Sequence, residues 1–180
     1  EFTQIREDPV FLEDIVSTGV FYYERPDRFR CDYLQPKANQ SFHLVTDELV
    51  ESYYPSIRQV ERYRMEREGQ LISDVNQMLL AFGIDTEAIL EDFVVKDLPT
   101  TSPDRVRLVF YPKRPPEQRP FQRFVLELTK RALQPVEFEI FGDADDHTRV
   151  TINNIWWNQN FDRDTFRLKY PSNVEIIEQL

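Results

Sequence analysis

Two histidines and one cysteine are the residues of this sequence best suited to chemistry. His43 lies in a predicted strand beside Val45, and His147 lies in a predicted surface turn. Neither has a serine or cysteine nearby in the arrangement of a nucleophile and its base. Cys31 falls on the apolar face of its strand, where a small buried hydrophobe is far more common than a nucleophile. The sequence has no glycine-rich phosphate loop and no Cys-x-x-Cys motif, so we predict no catalytic residues and a protein that is not an enzyme.

One acidic cluster has side chains that could bind a metal: Asp143, Asp145, Asp146 and His147. A calcium loop spaces its oxygen ligands around a central glycine, and this cluster has neither that spacing nor that glycine. A solvated hairpin turn is the simpler interpretation. The sequence therefore predicts no metal site and no cofactor.

Composition limits the class of protein. The chain has 180 residues, of which 41% are hydrophobic, enough for the core of a single domain over residues 1–180. The formal net charge of −10 disfavours nucleic acid as a partner, because its phosphates need basic side chains. No stretch approaches the roughly 18 apolar residues of a membrane-spanning helix. With one cysteine, no internal disulfide can form.

Alternating apolar residues predict strands over most of the chain. About ten or eleven antiparallel strands, with turns at near-regular intervals, are typical of a sheet that curls into an incomplete β-barrel. Apolar residues at helical spacing interrupt them and predict a helix from Leu71 to Phe82, which Gly83 ends. Asp85 begins a second predicted helix, from Thr86 to Phe93. We therefore predict an α+β fold.

Each predicted helix has one apolar stripe, which we expect to cover the concave apolar face of the sheet. The pair then either fills an ordinary core or forms a lid over a cavity. Spacing alone favours the core.

The stretch from Gly19 to Pro36 predicts a hairpin with an aromatic face and a face exposed to water. The aromatic face carries Phe21, Tyr23, Arg25, Phe29, Cys31 and Tyr33. Arg25 is unusual there, since a charge on an apolar face needs a partner. On spacing alone, an arginine that reaches water from the end of its strand is the simpler interpretation.

A series of short motifs carries a family resemblance. Residues 25–36 read Arg-Pro-x-x-Phe-Arg-x-x-Tyr-x-x-Pro, after Phe2-Thr3-Gln4 and a strand begun by Gly19; Leu44-Val45-Thr46-Asp47, Tyr53-Tyr54-Pro55, Gln59-Val60, Asn160-Phe161-Asp162, Phe166-x-Leu168, Pro171 and Val174 follow. In this order they resemble the outer-membrane lipoprotein carrier family, the LolA-like periplasmic chaperones. The sequence departs from the family pattern at Asp47-Glu48, where Asp-Gly is usual, and at Ser52, where an aromatic residue is common.

The resemblance implies a periplasmic carrier that shuttles lipoproteins from the inner to the outer membrane. Removing one acyl chain of about sixteen carbons from water is worth roughly 12 kcal/mol, so a lipid anchor needs an escort. The partners implied are lipoprotein acyl chains, an inner-membrane ABC transporter and an outer-membrane acceptor lipoprotein, and we expect a monomer. Because the chain begins inside a predicted strand, we expect a leader peptide and a first helix to lie outside this sequence.

The resemblance also favours a lid, over residues 70–93, above a hydrophobic cavity. The expected cavity residues are Phe21, Tyr23, Phe29, Tyr33, Phe42, Phe110, Phe124, Leu126, Phe138 and Ile140. The expected lid residues are Ile72, Val75, Met78, Leu79, Phe82 and Ile89. Arg25 matches the family arginine that holds the lid shut, so the resemblance implies a lid latch at Arg25, which would donate to helix-end carbonyls.

Two other binding functions fit the same expected fold. One is a periplasmic sensor of lipid or lipoprotein, which would need a further partner-binding domain. The other is a carrier of a different lipid, which identification of the ligand would distinguish.

Overall fold

A computed structural model of the chain describes residues 1–7, 13–25, 28–46, 49–64, 86–119, 121–143 and 146–179, with residues 86–88 and 179 described by their backbone alone. Over these residues, twelve strands form one open sheet of mixed direction. They are β1 (Phe2–Glu7), β2 (Asp14–Glu24), β3 (Arg28–Gln35), β4 (Ser41–Val45), β5 (Leu49–Tyr54), β6 (Gln59–Arg64), β7 (Phe93–Leu98), β8 (Arg105–Pro112), β9 (Arg123–Thr129), β10 (Pro135–Phe141), β11 (His147–Ile152) and β12 (Glu175–Gln179).

Neighbouring strands follow the order β12-β6-β5-β4-β3-β2-β1-β11-β10-β9-β8-β7. One short helix, α1 (Thr86–Asp92), and two 3-10 turns, Lys37–Asn39 and Pro116–Gln118, are the other regular elements of the described chain. No helix within those ranges is long and apolar enough to span a membrane.

The chain divides into two compact units. The first contains Glu1–Phe2, Ser17–Gln70 and Asn154–Leu180, and so holds β3 to β6, β12 and most of β2. The second contains Thr3–Val16 and Leu71–Asn153, and so holds α1, β7 to β11 and most of β1. The single domain over residues 1–180 stays a prediction.

In the first unit, β2 to β6 form an antiparallel meander and β12 pairs in parallel with β6. The hairpin of β2 and β3 was predicted by its alternation of side chains, and the register of Tyr23 opposite Phe29 confirms it. Gly19 is required where β2 passes β3, because a Cβ atom there would lie 2.2 Å from the Asp32 carbonyl oxygen and 2.6 Å from the Phe2 ring.

The first unit has two faces, since side chains alternate along each strand. We call them the aromatic face and the covered face. The aromatic face carries Phe21, Tyr23, Phe29, Cys31, Tyr33, His43, Val45 and Ser52. The covered face carries Tyr22, Arg30, Asp32, Phe42, Leu44, Glu51, Tyr53, Val60 and Arg62.

Residues 161–170, which we call the covering segment, pack on the covered face. Leu168 of this segment joins a buried cluster with Leu44, Tyr53 and Val60, and Phe42, Phe166, Tyr170 and Val174 pack around that cluster. Burying a leucine is worth about 1.5–3 kcal/mol, so this segment contributes to the stability of the unit. Although Phe166 and Leu168 alternate as in a strand, the segment has an irregular backbone there.

In the second unit, β7 to β11 form a continuous antiparallel sheet. Its strands alternate apolar and charged residues, as in Arg105–Pro112, where Val106, Leu108 and Phe110 share a face. The helix α1 leads directly into β7, and the amide of Lys113 donates to the Asp92 carbonyl at their junction at 2.9 Å.

The described chain corrects three details of the predicted fold. It has twelve strands rather than ten or eleven, and β12 makes the sheet mixed rather than purely antiparallel. The second predicted helix is found one residue shorter, as α1, because Phe93 already begins β7. The first predicted helix, Leu71 to Phe82, lies outside the described residues, and the closure of the sheet into an incomplete barrel stays a prediction.

Candidate functional site

The aromatic face of the first unit holds most of the cavity residues predicted there. The ring of Phe21 stacks on Phe2 with their centroids 4.2 Å apart, and Tyr33 meets Phe2 edge-on at 5.3 Å. Phe29 lies deeper and is fully buried, 6.0 Å from Phe21. Phe21, Tyr23 and Tyr33 remain partly exposed, so this face offers aromatic surface to a ligand.

Phe42 does not belong to this face, which corrects its predicted place among the cavity residues. It lies opposite Asp32 in β3 and stacks on Tyr53 on the covered face, with centroids 6.0 Å apart. The turn between β3 and β4 fixes which face β4 presents, and a slip of one residue there exchanges the two faces.

The hairpin face that carries Arg30 and Asp32 was predicted to be exposed to water, and that was wrong, because it forms part of the covered face. The guanidinium of Arg30 donates to both carboxylate oxygens of Asp32, at 2.7 and 2.9 Å, and to the Thr165 carbonyl at 2.8 Å. Because the covering segment supplies that carbonyl, the pair is largely removed from solvent. A buried ion pair of this kind is tolerated when its remaining donors are satisfied.

A second ion pair lies on the same face. Arg62 donates to Glu51 at 2.6 Å and to Glu178 at 3.3 Å, and also contacts the Tyr170 hydroxyl. The hydrogen bond to Glu51 is the main reason that the pKa of Arg62 is raised. Arg62 therefore ties β5, β12 and the covering segment together.

His43 has two serine neighbours on the aromatic face, which the sequence analysis missed. Its Nδ1 lies 2.9 Å from Ser52 Oγ and its Nε2 lies 3.0 Å from Ser41 Oγ. Burial lowers the pKa of His43 to about 4, so the ring is neutral at pH 7 and can donate to one serine and accept from the other.

The Ser41–His43–Ser52 group does not have the properties of a catalytic base and nucleophile. A histidine with a pKa near 4 is a weak general base at neutral pH, and both of its ring nitrogens are occupied. Ser41 could have been noticed two residues before His43 on one strand face, whereas Ser52 depends on the register of β5. We interpret the group as a satisfied polar cluster.

In the second unit, the predicted cavity residues share one face of the sheet, which we call the phenylalanine face. They are Phe110, Phe124, Leu126, Phe138 and Ile140, and all are buried. Their rings form a continuous series, with Phe124 5.6 Å from Phe110 and 5.7 Å from Phe138. Phe93 and Phe121, which were not predicted, extend the series by stacking on each other at 5.9 Å.

The opposite face of the second unit holds a charged network centred on Glu139. This carboxylate is 5% exposed and accepts from Arg107, from Arg149 at 3.3 Å and from His147 at 3.0 Å. His147 is the first residue of β11, so it does not lie in a surface turn as predicted. Its Nδ1 is 2.9 Å from Glu7 Oε1. Burial alone would raise the pKa of Glu139, but these hydrogen bonds outweigh it and lower that pKa.

The acidic cluster predicted to be a turn lies beside this network. Asp146 pairs with Arg6 at 3.4 Å, and Gln122 donates to Asp143 at 3.3 Å, whereas Asp145 lies outside the described residues. Within the described ranges, no three His, Cys, Asp or Glu side chains are grouped as a metal site.

Arg25 is exposed in the turn that follows β2. Its guanidinium forms no hydrogen bond or ion pair with the residues that the structure describes. The lid residues Ile72, Val75, Met78, Leu79 and Phe82 lie outside those residues, and Ile89 is partly buried in α1. The lid latch thus stays a prediction.

Comparison with known proteins gives one family match and several similar folds. Residues 1–169 match the profile of the family described as "Outer membrane lipoprotein carrier protein LolA". An outer-membrane lipoprotein carrier protein from Methylococcus capsulatus (strain Bath) is 28% identical over 180 residues, which cover 99% of this chain and 79% of that protein.

Two crystal structures share the fold at low sequence identity. An uncharacterized conserved protein from Thermus thermophilus has a TM-score of 0.57 and 12% identity, covering 99% of this chain and 90% of its own. A DUF1329 family protein from Desulfovibrio piger has a TM-score of 0.52 and 11% identity, covering 92% of this chain and 87% of its own.

Proposed function

Because the chain belongs to the LolA family of outer membrane lipoprotein carrier proteins, we propose that it is a periplasmic carrier that binds lipoprotein acyl chains and shuttles them from the inner to the outer membrane. It accepts cargo from an inner-membrane ABC transporter and releases it to an outer-membrane acceptor lipoprotein. It acts as a monomer and catalyses no reaction.

The observation that carries this proposal is the aromatic face of the first unit. Phe21, Tyr23 and Tyr33 are partly exposed above a fully buried layer that includes Phe29 and Cys31. Apolar surface of this kind binds an acyl chain because each CH₂ group removed from water contributes about 0.8 kcal/mol. Such binding needs no directional contacts, which suits cargo that shares only its lipid anchor.

We further propose a lid over residues 70–93 above a hydrophobic cavity. The helix α1 supplies part of it, and Ile89 is the lid residue whose side chain the structure describes. A lid that shields the acyl chains from water must also open for release, so its closure has to be weak. Hydrogen bonds from Arg25 to lid carbonyls, at roughly 1.5–3 kcal/mol each, have the required strength.

A pair of matched variants tests the binding surface. Tyr23→Asp places a carboxylate on the aromatic face, whereas Ile57→Asp places one at a position that is 63% exposed in the turn between β5 and β6. Binding of a dansyl-labelled fatty acid and of a triacylated lipopeptide should weaken about tenfold or more in Tyr23→Asp, because a charge next to an acyl chain lacks a partner. Ile57→Asp should bind like the wild type.

Equal affinity of the two variants for both probes, with unchanged melting temperatures, would show that the aromatic face does not bind the acyl chain. Native mass spectrometry of the protein taken directly from a periplasm then identifies the cargo. A bound lipoprotein is the expected result, and a free lipid in its place would contradict the shuttling role.

A further inference from the structure

Two adjoining pockets lie along the covering segment, on the covered face of the first unit. Both are lined by Arg167, Leu168 and Lys169, and we call them together the 167–169 groove. The larger has a volume of about 640 Å³ and is also lined by Leu44, Leu49, Glu51, Arg62, Phe166 and Tyr170. The smaller has a volume of about 180 Å³ and is also lined by Arg30, Phe42, Tyr53 and Asp164. The groove is on the face opposite the aromatic face, so it is a separate site.

Cations outnumber carboxylates among the side chains that line the groove, in a strongly acidic protein. Each pocket is lined by three cations and one carboxylate, although the chain has a net charge of −10. Arg30, Arg62 and Lys169 are paired with carboxylates of the first unit. Because these three cations are already paired, the positive charge left for an anionic ligand is that of the fourth cation, whereas the acidic remainder of the surface would repel such a ligand.

Arg167 is the cation available to such a ligand. It is exposed, lines both pockets, and forms no hydrogen bond or ion pair with the residues that the structure describes. Its influence on the neighbouring Asp164 is electrostatic only. A guanidinium in this position can bind a carboxylate through two parallel hydrogen bonds.

The walls of the groove indicate a peptide rather than an acyl chain. Leu44, Leu49, Phe166 and Leu168 give apolar surface, but the Glu51–Arg62 ion pair and the Tyr170 hydroxyl line the same pocket. An acyl chain would remove these polar groups from water without replacing any hydrogen bond. Two pockets that share Arg167, Leu168 and Lys169 as lining residues suit a chain that carries both acidic and apolar side chains.

We propose that the 167–169 groove binds an acidic peptide segment of a partner protein. A carboxylate of the segment pairs with Arg167, and an apolar side chain beside it packs against Leu49 and Phe166. This site does not depend on the acyl-binding function, since it uses other residues on another face.

The probe for this site is an acetylated, amidated hexapeptide in which two glutamates alternate with leucine and phenylalanine. Titrated into the ¹⁵N-labelled protein, it should shift the backbone amides of residues 166–170 and 49–51, with a dissociation constant that rises with salt. The same peptide with lysines in place of the glutamates should bind at least tenfold more weakly.

Arg167→Glu should weaken the acidic peptide about tenfold or more and leave the affinity for the dansyl-labelled fatty acid unchanged. Arg163→Glu is the matched control, because Arg163 is exposed in the same segment but lines neither pocket, and it should bind like the wild type. No shifts at millimolar peptide, equal binding of the two peptides, or equal behaviour of the two glutamate variants would each overturn the proposal. Lauric acid that shifts the same amides in place of the peptide would overturn it in favour of an amphiphile site.

Discussion

The Ser41–His43–Ser52 cluster shows how a single buried histidine makes stability depend on pH. The pKa of His43 is about 4 in the folded protein, below the ordinary value of 6.5, because burial disfavours the charged ring. The unfolded chain therefore binds the proton first as the pH falls. Stability is fully present above pH 6.5, and is lost between pH 6.5 and about 4, by up to about 3 kcal/mol.

We expect this loss to be smaller in His43→Gln, since glutamine does not titrate and can still hydrogen-bond both serines. Urea unfolding of the two proteins at pH values of about 7.5, 5.5 and 4.5 measures the difference. His147→Gln is not a suitable control, because His147 belongs to the Glu139 network. Parallel pH profiles for the wild type and His43→Gln would show that His43 does not cause the dependence.

Glu139 represents the opposite case, an acid whose folded pKa is lowered. Its stabilisation is present above the ordinary pKa of 4.5 and is lost as the pH falls through the lower folded value. Glu139→Gln should destabilise the protein by about 1–3 kcal/mol at pH 7, because Arg107 and Arg149 would lose a buried anion.

Glu137→Gln is the control for that change. Glu137 lies on the same strand and is paired with Arg149 at 3.8 Å, but it is partly exposed, so its removal should cost less than about 1 kcal/mol. Equal losses for the two variants in urea unfolding would contradict a central role of Glu139.

Among the elements, the covering segment differs most from what the sequence indicated. Leu168 is 7% exposed in the cluster with Leu44, Tyr53 and Val60. Leu168→Ala should therefore destabilise the protein by about 2–4 kcal/mol through lost burial and the resulting cavity. Leu133→Ala, at a position that is 62% exposed, should change stability by less than about 0.5 kcal/mol.

The urea midpoints of the two variants measure this difference in stability. If Leu168→Ala were as stable as Leu133→Ala, the covering segment would not be packed on the first unit.

The hairpin of β2 and β3 was predictable because its signals are local. Alternating aromatic residues define the faces, and Pro26-Asp27 suits a turn. The facing of Phe42 was not predictable in the same way, since it depends on the path of residues 34–40. The burial of Arg30 and Asp32 was missed because Thr165, which lies 135 residues beyond Arg30, provides the partner.

At the scale of the whole molecule, the family resemblance rested on ordered motifs at both ends of the chain, and the match over residues 1–169 confirms it. The antiparallel meander was also predictable, because turns and alternation recur along the chain. The parallel β6–β12 pair was not, since no local pattern indicates that Glu175 lies beside Gln59.

The lid latch belongs to this scale, since it would couple Arg25 to residues 70–93. Arg25→Leu should keep the fold, increase hydrogen exchange in residues 70–93 and alter the rate of lipoprotein transfer, because lid carbonyls would lose their donor. Arg28→Leu should change neither, because among the described residues Arg28 makes only an exposed ion pair, with Glu24 at 3.0 Å. Equal rates of hydrogen exchange and of lipoprotein transfer in the two variants would show that Arg25 is only a charged residue at the end of a strand and does not hold the lid.

The pairing of β12 with β6 has a consequence for the order in which the protein folds. Arg62 and Glu178 are 116 residues apart in the chain and meet across these two strands. Bringing such distant segments together costs loop-closure entropy before any contact compensates for it, and folding slows accordingly. Strands β7 to β11 are contiguous in sequence and can pair while the chain is still being made. The first unit must wait for residues 161–179, so during synthesis its covered face is open to any chaperone that binds exposed apolar surface.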